Sequence, residues 1–147
     1  MKVKIKKLNP NAVIPYKATS GDHCYDCVAV SEEEVAPNIW KYGLGFALEI
    51  VCDDDLPFIS LSIDARPRSS IYKTGMLLSN APGTVDEDYR GEVCAVFYHV
   101  MPNMPRYKVG DRIVQIKLGC SENIDFEEVD ELSETDRGTG GFGSTGK

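Results

Sequence analysis

The chain has 147 residues and a formal net charge of −7; 42% of its residues are hydrophobic and 27% are charged. This length suits one domain, and the near-average composition excludes collagen-like, coiled-coil and disordered proteins. The acidic balance also argues against a general nucleic-acid binder, which would present a basic surface.

The N-terminus alternates lysines with apolar residues over positions 1–8 and lacks the apolar core of a signal peptide. No run of about 18 apolar residues occurs in the sequence, so no membrane span is expected. These features predict a cytoplasmic protein, or a nuclear one if the source is eukaryotic or viral.

Five segments carry the alternating or continuous apolar pattern of β-strands, and Pro- and Gly-rich turns separate them. No segment keeps the helical apolar period over several turns, so at most a short helical turn is expected in Ser31–Pro37 or Asn80–Arg90. Many short strands with turns between them predict an all-β fold such as a β-sandwich, barrel or jelly roll. The predicted strands are Val3–Ile5, Gly45–Val51, Ile59–Ala65, Glu92–Val100 and Asp111–Leu118.

The sequence contains five cysteines, and Cys24 and Cys27 form a C-x-x-C pair beside His23. A structural zinc site usually takes its ligands from two such pairs, and the sequence offers no second one. An odd number of cysteines without an export signal indicates reduced thiols, so we interpret them as ordinary buried or incidental residues. The acidic runs at 31–34 and 53–55 are likewise interpreted as solvated loops rather than metal sites.

Two polar clusters adjoin the predicted strands. Guanidinium and hydroxyl groups directly after strand 59–65 can bind an anion, and here they are Arg66, Arg68, Ser69 and Ser70. In the second cluster, Pro82–Gly91, a carboxylate such as Asp86 could orient a water molecule and Tyr89 could position a sugar. From the residues alone, a polar hairpin loop without a catalytic role is an equal alternative for this segment.

The C-terminal segment 134–147 has five glycines and one aromatic residue, so we expect a mobile arm separate from a domain at 1–133. Its end matches the start of a phosphate-binding P-loop, but the strand and helix that such a loop needs are not predicted here. Arg137 and the hydroxyls of Ser144 and Thr145 suit phosphate oxygens, and Phe142 could stack on a nucleobase. We therefore predict a lid that closes over a nucleotide with several phosphates.

In chain order, five segments resemble the sequence motifs of the trimeric dUTP pyrophosphatases (dUTPases): Ala18–Asp26, Pro67–Ser70, Gly83–Gly91, Gly110–Gln115 and Arg137–Gly146. The resemblance covers nearly the whole chain, and the last three motifs are long and specific. It implies a jelly-roll-like β fold in a homotrimer, with active sites at subunit interfaces that the arm closes. It also implies Mg²⁺-dependent hydrolysis of dUTP to dUMP and pyrophosphate, which keeps uracil out of DNA and supplies dUMP for dTMP synthesis.

The same resemblance assigns roles to individual residues. It implies that Asp86 is the general base for the water that attacks the α-phosphorus, and that Tyr89 lies under the deoxyribose and excludes a 2′-hydroxyl. Asp26 would hold water molecules of the Mg²⁺ shell. The residues that would bind the uracil are Asn80, Gly83, Val85 and Phe142. Those that would bind the phosphates are Arg68, Ser69, Ser70, Gln115, Arg137, Gly143, Ser144 and Thr145.

The sequence departs from the family pattern mainly in the first motif, where Cys24 replaces the usual glycine and Cys27 the usual apolar residue. Because a glycine there can adopt a positive φ, we expect local strain or a shifted backbone at Cys24. Ser70 stands where glycine is commoner, and a shorter segment after it leaves Lys73 without an assigned role.

Two alternatives compete with dUTP hydrolysis. A related dCTP deaminase, or a bifunctional relative, would share the fold but needs a glutamate on the strand after the third motif, and Val93–Val100 contains none. A regulatory binding module with the same fold is the second alternative. The presence of both Asp86 and the arm favours an enzyme over such a module, although an additional regulatory role stays open.

Overall fold

The structure, a computed structural model, describes residues 1–52 and 58–141. Within these residues the regular structure is β-strand apart from one short 3₁₀ helix, Ser69–Lys73, and no helix is long and apolar enough to cross a membrane. The strands are β1 (Lys2–Lys7), β2 (Tyr25–Val28), β3 (Ser31–Ala36), β4 (Ile39–Gly43), β5 (Phe46–Val51), β6 (Ile59–Pro67), β7 (Met76–Leu78), β8 (Gly83–Asp86), β9 (Cys94–His99) and β10 (Arg112–Glu122).

The strands form two four-stranded sheets and one two-stranded sheet, and all their pairings are antiparallel. One large sheet has the order β2-β10-β6-β8 and the other has the order β3-β4-β9-β7, while β1 pairs with β5. The neighbours in each sheet are mostly distant in sequence, as expected for strands that cross between two layers. The predicted all-β sandwich or jelly-roll class is therefore confirmed.

The hydrophobic core lies between the sheets and receives side chains from all three of them. Tyr42 of β4, Phe46 of β5 and Phe97 of β9 have no exposed surface. The Phe97 ring packs edge-on against Tyr42 at a centroid distance of 5.8 Å and against Tyr107 at 5.3 Å. This aromatic cluster joins the second sheet to the segment that enters β10, and so fixes the position of the strand ends that carry polar residues.

All five strands predicted from the sequence are present, as β1, β5, β6, β9 and β10. Their alternation follows the structure: in β6, Leu61, Ile63 and Ala65 are buried while the residues between them are more exposed. A side-chain period of two along a strand produces this pattern when one face of the sheet covers a core.

Two expectations about the remaining segments are wrong. Ser31–Pro37 is neither a solvated loop nor a helical turn, because β3 pairs along β4 and supplies the edge of a sheet. Asn80–Arg90 contains the strand β8, whose Val85 lies opposite Ile63 of β6. In both cases backbone pairing with a neighbouring strand compensates for a weak local apolar pattern. The acidic run 53–55 lies outside the described residues.

A partly buried ion pair ties β3 to the segment before β10. Arg106 donates to Glu32 at 3.1 Å, and its guanidinium lies 3.5 Å from the centroid of the Trp40 ring. The hydroxyl of Tyr42 donates to the carbonyl of Tyr107 at 2.8 Å beside it. Because its guanidinium stacks on a ring as well as binding a carboxylate, Arg106 holds this segment in one orientation.

The Glu32–Arg106 pair predicts a pH-dependent contribution to stability. The hydrogen bond from Arg106 lowers the pKa of Glu32 below its ordinary value of 4.5, so the pair stabilises the fold above that value. This contribution is lost as the pH falls through the lower pKa of the folded state. We expect Glu32→Gln to reduce the free energy of unfolding by about 1 kcal/mol at pH 7 and by less at pH 3, measured by urea denaturation.

The matched control is Glu33→Gln, which changes an exposed carboxylate on the same strand. We expect this variant to have nearly the wild-type stability at both pH values. An equal loss for Glu32→Gln at pH 3 and pH 7 would contradict a stabilising role for the ionised pair.

Candidate active site

A cavity of about 330 Å³ opens at the hairpin that contains β8. It lies where the turn at 80–82 leads into β8 and where the following loop returns to β9. Among its lining residues are five that the sequence assigns to uracil, sugar or water: Asn80, Gly83, Val85, Asp86 and Tyr89. We call this the hairpin cavity.

The pairing of β8 with β6 explains how Asp86 faces the cavity. Val85, opposite Ile63, packs against the core, so the side chain of the next residue points the other way. Asp86 is exposed at the end of the strand, and among the described residues no hydrogen-bond or ion-pair partner of its carboxylate is found. Its backbone carbonyl accepts from the N–H of Tyr89 at 3.1 Å, which closes a turn and brings the aromatic ring to the same cavity.

A second site contains three charged side chains from three neighbouring strands or strand ends. Asp26 of β2 accepts from Arg68 Nε at 2.8 Å on Oδ1 and from Arg68 Nη2 at 3.3 Å on Oδ2. Arg112, which begins β10, donates to the same Oδ2 at 3.0 Å. One carboxylate thus fixes two guanidinium groups, and the trio retains one net positive charge.

The remaining predicted phosphate ligands of the core domain adjoin this trio. Gln115 lies opposite Asp26 on β10 and donates to the carbonyl of Pro67 at 3.1 Å. Ser70 accepts from Arg68 at 3.1 Å, and the exposed Ser69 begins the 3₁₀ helix. A cavity of about 380 Å³ opens here, and we call it the cationic cavity because its lining includes Arg68, Lys73, Arg106 and Arg112.

The two cavities do not meet within one copy of the chain. Among the described residues, none lines both. Asp86 is opposite Ser62, the fourth residue of β6, whereas Arg68 follows Pro67 at the end of the strand. Six residue steps along the strand separate Ser62 from Arg68, which corresponds to about 20 Å.

Comparison with known proteins places this arrangement in a family. A family model described as dUTPase matches residues 10–146. The deoxyuridine 5′-triphosphate nucleotidohydrolase of Helicobacter pylori (strain P12) is 37% identical over 150 residues, covering 99% of this chain and 97% of that protein. The enzyme of the same description from Nautilia profundicola is 38% identical, with each chain covered completely. The chain belongs to the dUTPase family.

Solved structures of the family share the fold. A dUTPase variant from Staphylococcus bacteriophage 80alpha with dUpNHpp has a TM-score of 0.79 at 19% identity, and 99% of each chain is covered. A variant of the dUTPase from phage phi11 of S. aureus, which coordinates a structural Mg(II) ion, has a TM-score of 0.71 at 15% identity. That comparison covers 91% of this chain and all of the phage protein.

The C-terminal arm is described only in part. Arg137 donates from Nε to the carbonyl of Gly140 at 2.8 Å within a tight turn and is exposed. The predicted uracil and phosphate ligands Phe142, Gly143, Ser144 and Thr145 lie outside the described residues. The division into a domain at 1–133 and an arm at 134–147 stays a prediction.

The first dUTPase motif accommodates its two cysteines without the expected strain. Asn38 is the one residue other than glycine with a positive φ in the described part of the chain, so Cys24 does not adopt the conformation that would favour glycine. Cys27 is completely buried in the core, where it takes the place of an apolar side chain. Both are free thiols, and the described residues contain no group of three or more His, Cys, Asp or Glu side chains suited to a metal.

Sequence reasoning left three residues near these cavities without a role. Arg112 lies within the fourth motif, but its partner Asp26 is 86 positions away, so the pairing has no local signal. Lys41, in the middle of β4, and Glu92, in the loop before β9, also line the hairpin cavity. For Glu92, the sequence offered one indication of a place near the site, which is its position directly after the third motif.

The burial of Cys27 predicts a large difference in thiol reactivity. Burial raises the pKa of Cys27 to about 12, so only roughly one molecule in 10⁴ would carry the thiolate at pH 8. We expect iodoacetamide to label the exposed Cys120 in the native protein and Cys27 only after unfolding in urea, as mapped by peptide mass spectrometry. Native labelling of Cys27 at the rate of Cys120 would show that the first motif opens readily.

Proposed function

We propose that this chain hydrolyses dUTP to dUMP and pyrophosphate, as the names of its relatives state for them. The observation that carries the proposal is the hairpin cavity, where the exposed Asp86 carboxylate lies beside an amide, a backbone turn and an aromatic ring. These groups match four requirements of the reaction. They are the activation of water, hydrogen bonding to the uracil edge, exclusion of a methyl group at C5 of the base, and selection of deoxyribose.

In the proposed reaction, Asp86 accepts a proton from a water molecule as the water oxygen bonds to the α-phosphorus. The bond between the α-phosphorus and the oxygen that bridges to the β-phosphorus breaks, and pyrophosphate leaves with that oxygen. The carboxylate suits this role because no described group competes for its lone pairs. The proton then passes from Asp86 to solvent, which restores the base.

The proposed recognition of dUTP uses the walls of the same cavity. Asn80 and the β8 backbone at Gly83 and Val85 pair with the uracil edge, and the tight turn leaves no space for the 5-methyl group of thymine. The ring of Tyr89 packs under the deoxyribose and rejects a ribose with a 2′-hydroxyl. This pattern of exclusion predicts little activity toward dTTP and UTP.

The cationic cavity is proposed to bind the triphosphate. Arg68, held by Asp26, presents its guanidinium in a fixed plane, and Ser70 lines the same cavity. The adjoining Ser69 and Gln115 would supply further donors. The arm would add Arg137, Gly143, Ser144 and Thr145 over the phosphates, with Phe142 stacked on the uracil. Closure of the arm would exclude bulk water from the reacting phosphorus.

Mg²⁺ fits this site as an ion held mainly by the substrate. Asp26 accepts three hydrogen bonds from guanidinium groups, two of them on Oδ2, which leaves Oδ1 able to accept one from a metal-bound water. One carboxylate with spare acceptor capacity suits a cation that keeps most of its waters. When bound, Mg²⁺ would neutralise charge on the triphosphate, and Asp26 would hold one of its waters.

A homotrimer is proposed to assemble the complete site. Because Asp86 and Arg68 are separated along β6, the hairpin cavity of one copy must meet the cationic cavity of another. The arm of a third copy can then close over both. This arrangement accounts for functional residues that occupy two separate cavities of the same chain.

The proposed reaction is tested by pyrophosphate release with Mg²⁺, comparing dUTP with dCTP, dTTP and UTP. We expect release from dUTP alone and a loss of about 10²–10⁴-fold in kcat for Asp86→Asn, because the amide cannot accept the proton. No release from any of the four nucleotides would favour a regulatory binding module. Ammonia formed from dCTP would favour the deaminase alternative instead.

The proposed interface is tested by mixing inactive variants after joint refolding. If each site takes Asp86 from one copy and Arg68 from another, mixed trimers of Asp86→Asn and Arg68→Gln should recover about a quarter of wild-type activity by random assembly. The control pairs Asp86→Asn with Asn80→Ala, both in the hairpin cavity, and should recover nothing beyond the residual activity of the two variants. No recovery in either mixture, with trimers formed, would mean that one copy supplies both groups.

A further inference from the structure

The ring of Tyr89 folds back over Gly91, and the two residues are in direct contact. A methyl group at the Cβ position of residue 91 would lie 2.5 Å from Tyr89 Cζ and 3.0 Å from Cε2, and closer still to the hydroxyl oxygen. Real Cβ atoms do not approach other atoms this closely, so any side chain at 91 must displace the ring. A side chain at residue 91 and the present position of the ring therefore exclude each other.

The hydroxyl of Tyr89 is held from the other side by the backbone of Glu92. It donates to the Glu92 carbonyl at 3.1 Å. Contact with Gly91 and this hydrogen bond both act at the hydroxyl end of the ring. Although Tyr89 is 46% exposed, the position of its ring is thus restricted by residues 91 and 92.

The Glu92 carbonyl is itself a fixed acceptor, because its segment is bonded to the core. Glu92 Oε1 accepts from the N–H of Gly45 at 2.8 Å. The next residue, Val93, donates to the carbonyl of Phe46 at 2.9 Å and accepts from Leu44 at 3.0 Å. Phe46, Leu44 and Val93 are almost completely buried. A continuous series of contacts therefore runs from the core to the Tyr89 ring.

We propose that Gly91 and Glu92 are positioning residues that set the plane of the Tyr89 ring and thereby the preference for a deoxyribose over a ribose nucleotide. The inference rests on the proposed function, since it concerns the sugar that the hairpin cavity accepts. Both residues act through the ring. Gly91 leaves room for the ring, and Glu92 anchors its hydroxyl.

The ring must be held in one position because dUTP and UTP differ by a single oxygen atom on the sugar. An apolar surface that can move aside rejects an added hydroxyl only weakly, since the site relaxes around it. A ring held by both contacts cannot retreat from a 2′-hydroxyl without breaking its hydrogen bond or leaving Gly91. Displacing the ring would admit the ribose and would also misplace the deoxyribose relative to Asp86.

The test compares kcat/KM for dUTP and UTP in the full-length protein and in Gly91→Ala. We expect the dUTP/UTP ratio to fall by at least about tenfold, with a larger loss for dUTP than for UTP. The inhibition constants of dUMP and UMP should also become more alike in Gly91→Ala. This comparison reports the position of the ring independently of catalysis. The control is Gly21→Ala, where an added methyl group meets only Thr19 Oγ1 at 3.9 Å, and its ratio should equal that of the wild type.

A second pair of variants tests the anchor if Gly91→Ala folds poorly. Glu92→Gln keeps an oxygen that accepts from Gly45, so its ratio should match the wild type, whereas Glu92→Ala should lower the ratio several-fold. A wild-type ratio in folded Gly91→Ala, or in Glu92→Ala, overturns the positioning role of that residue. Absence of dUTP turnover in the wild-type protein would instead refute the proposed function, so the two failures are distinguishable.

Discussion

The pairing of β6 with both of its neighbours is the constraint on which the rest of the site depends. Nine residue pairs join β6 to β10, and four join it to β8 on the opposite edge. The base candidate Asp86 therefore lies beside Ser62 within β6, whereas Arg68 follows directly from the end of that strand. Because an extended strand cannot shorten, the fold fixes the distance between them, and this separation is the reason for proposing that a second copy of the chain completes the site.

The local charge of the cationic cavity differs from that of the whole chain. A net charge of −7 would repel a nucleotide triphosphate at long range, yet Arg68 and Arg112 share one carboxylate and leave a positive charge at the strand ends. The side chain of Asp26 is only 14% exposed, so solvent screens this trio less than it screens a surface pair. Asp26 thus prevents repulsion between the arginines while it fixes the direction of their donors.

The sequence predicted those strands whose side chains alternate strongly between apolar and polar. It did not predict those whose formation depends on backbone pairing with a distant strand. The alternation of Ile59–Ala65 predicted β6, but the acidic start of β3 gave no strand signal because its pairing with β4 is a long-range property. Motif resemblance could assign roles to Asp86 and Tyr89, because their spacing within one hairpin is local. The Asp26–Arg112 contact and the Glu92 anchor were not predictable, because each depends on a partner from a distant strand.

If the hairpin cavity takes the nucleoside and the cationic cavity takes the phosphates, as proposed, the two cavities have different requirements. Phosphates are recognised by attraction, so long side chains with several donors suffice and small displacements are tolerated. Exclusion of a 2′-hydroxyl or a 5-methyl group requires a wall that cannot yield, which a flexible surface side chain does not provide. The loop of the hairpin cavity is bonded to the buried residues Val93 and Phe46, which would give the proposed site such a wall. Selectivity for the sugar would then depend on the β4–β5 corner as much as on the residues that line the cavity.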